Sequence, residues 1–279
     1  MTSSIFSIKR FGYALSLEFG QKSRRLLMYC ALVVGILIAV SLFMTYNNAS
    51  HSYWRGTYDG MLSYLLPLYV ILLFLYGSLS ASIMWTEMKN KVGRTAALMN
   101  PASYLEKYLV KFTIYVLLFL VVYAAAVFIA ETVRYLAVSV FVPEGKVKPV
   151  PLYLIGKYDS ETIKEILGSF TENSEILYCI FGFFALQSLF VLGSIIWTRN
   201  SYIKSFACFG GIALVYLLTA MWTIESVDGG RWIETPPLFA WIEAHKTLCV
   251  IVLFGFVTVL NWTLAWFRLR ETDVISVKR

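Results

Sequence analysis

The chain is poor in charge. Only 15% of its 279 residues are Asp, Glu, Lys or Arg, against about 25% in soluble domains, which excludes an ordinary water-facing shell. Histidine is scarcer still: His51 and His245 are the only two, and both fall between apolar runs. No HExxH, no Gly-x-Ser-x-Gly elbow and no pair of acids on one apolar run is present, so catalysis is not expected. A Walker phosphate loop is missing as well, and the chain therefore cannot hydrolyse ATP by itself. No metal or cofactor is implied. The four cysteines, Cys30, Cys179, Cys208 and Cys249, lie within apolar runs at no metal-binding spacing. They read as buried small thiols, with a Cys179–Cys249 disulfide as the weaker alternative. Ionisable groups near the centres of the apolar runs are absent too, which argues against proton- or ion-coupled transport.

What the chain has is grease. Apolar residues make up 58% and aromatic residues 16%, and the mean hydropathy is +0.68. A bilayer core about 30 Å thick needs roughly 20 apolar residues in a helix, because unpaired backbone groups are too costly in hydrocarbon. Six runs qualify, approximately Leu26–Tyr46, Met61–Met84, Val110–Val133, Ile176–Trp197, Ile203–Ile224 and Lys246–Phe267, and only Pro67 interrupts one of them. The fold expected is an all-α integral membrane domain over residues 1–279 with six transmembrane helices.

The net charge of +7 would raise the question of nucleic acid in a soluble protein; here its distribution sets orientation instead. Cations cluster in the N-terminal segment (Lys9, Arg10, Lys22, Arg24, Arg25), after span two (Lys89, Lys91, Arg94, Lys107, Lys111), after span four and in the tail. The acids concentrate in the alternate loops. The positive-inside rule then places both termini in the cytoplasm, and no nucleic-acid partner is expected. About 25 residues precede the first run without a small-residue cleavage pattern after it, so that run is expected to be retained as an anchor.

Between the spans the pattern is organised. Residues 1–25 place Ile5, Ile8, Phe11, Leu15 and Phe19 at steps of three or four, the stripe of an amphipathic interfacial helix resting on membrane lipid. Lys22, Arg24 and Arg25 would hold its junction at an anionic surface. The inner loop from Trp85 to Lys111 reads as helix, break, helix: Glu87 to Ala97 is helix-compatible, Asn100-Pro101 interrupts, and Ser103 with Glu106 three residues later forms a capping box. The outer loop 134–175 holds Pro143, Pro149 and Pro151 and one short helix from Ser160 to Leu167; a second outer helix is expected after Thr235-Pro236.

Few polar residues fall in the spans. Glu131 and Arg134, three apart at the outer end of span three, read as a local helix pair, with a substrate exit as the sharper alternative. Gln187 and Asn261 are expected to make interhelical hydrogen bonds. Small residues at Gly35, Ser80, Gly193 and Gly210 suit close helix packing.

Taken together, these features resemble the type-2, export-type ABC transporter permease family. The local resemblance lies in the inner loop, where Glu87, Gly93-Arg94, Leu98-Met99-Asn100-Pro101-Ala102-Ser103, Glu106 and Lys111 follow the family's recurrent pattern. It covers the whole chain in topology and about 25 residues in motif. The outer loop 134–175 is longer than in compact members. The resemblance implies a place in the cytoplasmic (inner) membrane, a coupling helix in the loop, and a separate ABC ATP-binding subunit as partner. It also implies pairing with a second copy or a related permease. Glu87, Lys91, Gly93, Arg94, Asn100, Pro101, Ser103 and Glu106 would then form the partner-coupling surface. Other readings are a non-transporting membrane scaffold or sensor partner, a secondary transporter, and an intramembrane enzyme.

Overall fold

The computed structural model describes residues 6–50, 58–89, 92, 93, 95, 99, 102–141, 175–197, 200–227 and 245–277. Among these residues the regular structure is entirely helical. The helices are α1 (Ile8–Ser50), α2 (Tyr58–Ile83), α3 (Tyr104–Phe112), α4 (Phe119–Phe141), α5 (Glu175–Ile196), α6 (Ser201–Val227) and α7 (Lys246–Val277). A short 3₁₀ turn (Thr86–Lys89) follows α2, and a π-helical segment (Thr113–Leu118) joins α3 to α4 without a break.

Five stretches are long and apolar enough to cross a membrane: Ile8–Asn47, Tyr104–Ala137, Leu177–Ile196, Ser201–Thr219 and Thr247–Glu271. The remaining expected crossing, Met61 to Met84, falls on α2, where Pro67–Ile83 is a shorter apolar helix. Pro67 does not break it, since α2 continues on both sides. The short outer helices expected at 160–167 and after Thr235 lie outside the described residues.

The N-terminal segment departs from expectation. It is not a separate interfacial helix but the start of α1, a single helix of 43 residues. At about 1.5 Å per residue it is about 64 Å long, twice the hydrocarbon thickness, so its first turns must lie outside the bilayer core. The reason is local: nothing between Ile8 and Ser50 is a proline, and isolated glycines are tolerated in a helix. Gly12 and Gly20 face open space.

The chain divides into two compact units, 1–80 with 102–172 and 81–101 with 173–279. In the first, α1, α2 and α4 share a core of Val33, Leu37, Leu65, Tyr69, Tyr123, Ala126 and Ala130. The small Ala126 and Ala130, one turn apart, present a flat face to the larger side chains. In the second, α5 packs chiefly on α7 and also on α6. Glycines and rings oppose one another there: a Cβ on Gly182 would meet the Phe254 ring at 3.6 Å, and one on Gly255 the Phe181 ring at 3.8 Å. Gly193 is tighter, since a Cβ there would fall 2.0 Å from the Ser205 hydroxyl oxygen of α6. Gly193 thus fills the packing role expected of it, whereas Gly35 and Gly210 face open space.

The cysteines also differ from expectation. Cys179 and Cys208 are exposed, Cys30 and Cys249 half-buried, and all four are free, with no Cys179–Cys249 disulfide. A thiol on an outward helix face loses nothing when that face meets lipid, so burial is not required of it.

Candidate functional site

The loop between α2 and α3 combines a buried base with an exposed surface. Met84, Trp85 and Met88 are buried at its start, and the Met88 N–H donates to the Trp85 carbonyl at 3.0 Å. Further along, Val92 and Met99 are 83% and 80% exposed. The helix expected from Glu87 begins as the 3₁₀ turn at Thr86–Lys89, and Val92, Gly93, Thr95 and Met99 are helical. Glu87 is half-buried. Gly93 lies against the backbone of Glu87, and a Cβ there would stand 2.6 Å from the Glu87 carbonyl oxygen. Lys91, Arg94, Asn100 and Pro101 lie outside the described residues.

The loop's exit is an N-cap. Ser103 accepts the Glu106 N–H at 3.2 Å and its own N–H donates to Glu106 Oε2 at 2.8 Å, so the capping box read from the sequence is present. Glu106 does more than cap. It is fully buried, its Oε1 accepts the Ser7 N–H at 2.7 Å, and the Arg10 guanidinium lies 3.1 Å away. One turn on, Lys111 reaches Glu18 Oε1 at 3.0 Å, the oxygen that also takes Lys22. Two ion-paired contacts thus fasten the first turns of α1 to α3. Arg10, Glu18 and Lys22 turn toward the protein, while of the expected stripe Ile8 and Phe19 are exposed and Phe11 and Leu15 half-buried.

A nitroxide on Tyr13, which is exposed, should gain mobility when Arg10→Ala and Glu18→Ala together remove both ion pairs to α3. Mobility unchanged from the parent would contradict the contact.

In the first unit the Glu131–Arg134 pair is local, as its spacing implied: Arg134 Nε and Nη2 donate to Glu131 Oε2 at 3.0 and 2.5 Å. Both residues are buried, however, and the pair extends across the bundle. Tyr69 of α2 donates its hydroxyl to Glu131 Oε1, and Tyr123 donates to the Tyr69 carbonyl at 2.7 Å. Sequence reasoning missed both tyrosines. Their depth matches that of Glu131 only once α2 and α4 are paired.

In the second unit Asn261 Nδ2 donates to Ser188 Oγ at 3.1 Å, joining α7 to α5 as expected. Gln187 does not follow: it is fully buried, and neither amide atom finds a partner among the described residues. An unsatisfied buried amide carries a desolvation penalty of about 1–3 kcal/mol in water-referenced proteins, and less where the reference state is lipid. Gln187→Met should therefore raise the thermal midpoint in detergent by roughly 2 °C or more. A lowered midpoint would show that Gln187 has a partner it needs.

No cluster of His, Cys, Asp or Glu able to hold a metal exists among the described residues. No protein-family model, curated protein or solved structure matches the chain.

Proposed function

We propose that this chain is the membrane-spanning permease subunit of an ATP-driven exporter, driven by a separate ATPase that grips the loop between α2 and α3. The observation that carries the reading is the pairing of a fixed base with an exposed apolar surface. Met84, Trp85 and Met88 anchor the loop, Gly93 closes it against Glu87, and Val92 and Met99 project outward. Apolar side chains outside a membrane-crossing run lack lipid to cover them and suit a protein groove. Glu87, Lys91 and Arg94 would orient the partner by charge. Glu106 serves inward, carrying movement of the loop to the N-terminal segment. The termini and the loop lie on the cytoplasmic side of the inner membrane, and a second copy or related permease completes the path.

Purification from native membranes in mild detergent tests this. A chain with a Walker phosphate loop and ATPase activity should co-purify, and deletion of residues 87–100 should release it while membrane insertion persists. An ATPase retained by the deletion variant contradicts the assigned contact. Absence of any ATPase from the intact protein favours the scaffold reading.

A further inference from the structure

Span three holds the one π-helical segment among the described residues, Thr113–Leu118. Such turns carry backbone bonds that reach one residue further than in an α-helix, and they mark hinges and functional sites more often than ordinary helix does. At its end the turn tightens, the Phe119 N–H going to the Val116 carbonyl three residues back, and within it the Tyr115 carbonyl accepts the Ser80 hydroxyl of α2 at 2.8 Å. A side chain from a neighbouring helix thus helps satisfy the widened turn, and such insertion is a recognised cause of local bending.

The two sides of this turn are fastened to different things. On the inner side, Glu106 and Lys111 bind Ser7, just before α1, and Arg10 and Glu18 within it. On the outer side, Tyr123 and Glu131 bind Tyr69 of α2. α1 runs past both regions; its Lys22 lies 5.7 Å over the Tyr115 ring, and between there and Val33 its residues are exposed or half-buried, none fully buried.

We propose that the π turn is the joint of the first unit. About it the inner body, the first turns of α1 with α3, swings against an outer body of α2 and α4 held by Tyr69, Glu131 and Arg134. The joint is a property of the chain alone. That partner closure drives the swing through the loop rests on the proposed function.

Double electron–electron resonance on the full chain in lipid nanodiscs tests it, with the four cysteines replaced by serine. Labels at Ile71→Cys and Tyr104→Cys straddle the joint, and labels at Ile71→Cys and Leu136→Cys lie within the outer body; all three native side chains are exposed. The straddling pair should give a distribution several Å broader than the control. Deletion of Leu117, which is exposed, removes the extra residue of the turn and should narrow the straddling distribution to that of the control. Ser80→Ala offers a milder variant: loss of one hydrogen bond should change the ratio of bent to straight populations about fivefold. Equal breadth of the two pairs overturns the joint, as does a straddling distribution unmoved by both variants. Adding the ATPase with ATP should shift the straddling distance; a broad distribution that does not shift counts against the proposed function and leaves the joint standing.

Discussion

Arg134→Ala is expected to destabilise the first unit by about 3–5 kcal/mol, a large share of the roughly 5–15 kcal/mol that holds a typical folded protein together. Arg134 and Glu131 are both buried, so removing the cation takes the guanidinium from a buried carboxylate whose other oxygen accepts the Tyr69 hydroxyl. The sign of the effect depends on breaking the pair and not on losing it. Replacing both members, Arg134→Met with Glu131→Leu, removes the charge and the desolvation penalty together and should recover most of the loss. Thermal midpoints from size-exclusion chromatography of the detergent-solubilised variants check this. A single variant as stable as the parent, or a double variant no better than the single, would mean that the pair is not the buried contact described.

If the chain is the proposed exporter subunit, Gly93→Ala should lower transport roughly tenfold or more while insertion and expression persist. The added methyl would approach the Glu87 carbonyl oxygen to 2.6 Å, and a backbone oxygen cannot swing aside as a side chain end does. The loop must therefore open between Glu87 and Gly93, carrying Val92 with it and altering the surface offered to the partner. The nearby Val92→Ala removes exposed apolar area without a clash and should weaken the partner contact while leaving the loop's backbone unchanged. Reconstituted transport together with protease sensitivity of the loop separates the two. Full transport by Gly93→Ala would contradict the tight closure of the loop.

What the sequence discloses is local. The Ser103–Glu106 box and the Glu131–Arg134 pair are contacts between residues three apart, and helix periodicity alone brings them together. The apolar runs are equally legible, because the bilayer sets their length. The partners that give these residues their further roles are remote: Ser7 lies 99 residues from Glu106 and Tyr69 lies 62 from Glu131. No periodicity links them. The continuity of α1 was hidden for a different reason. The change from amphipathic to uniformly apolar composition near Leu26 looks like a boundary, yet composition does not bend a backbone that lacks proline. The π turn left no sign, since Thr113–Leu118 is as apolar as the helix after it. Gln187 was expected to hydrogen-bond because an amide in a span is ordinarily satisfied; that it has no partner among the described residues is visible only in coordinates.

The most direct measurement is the sidedness of the loop. With the native cysteines replaced and Val92→Cys introduced, a membrane-impermeant maleimide should label position 92 in inside-out vesicles and leave it unlabelled in right-side-out vesicles. The proposed exporter requires this, since ATP and the ATPase are available only on the cytoplasmic face. Labelling from the exterior, or from neither side, would contradict the account.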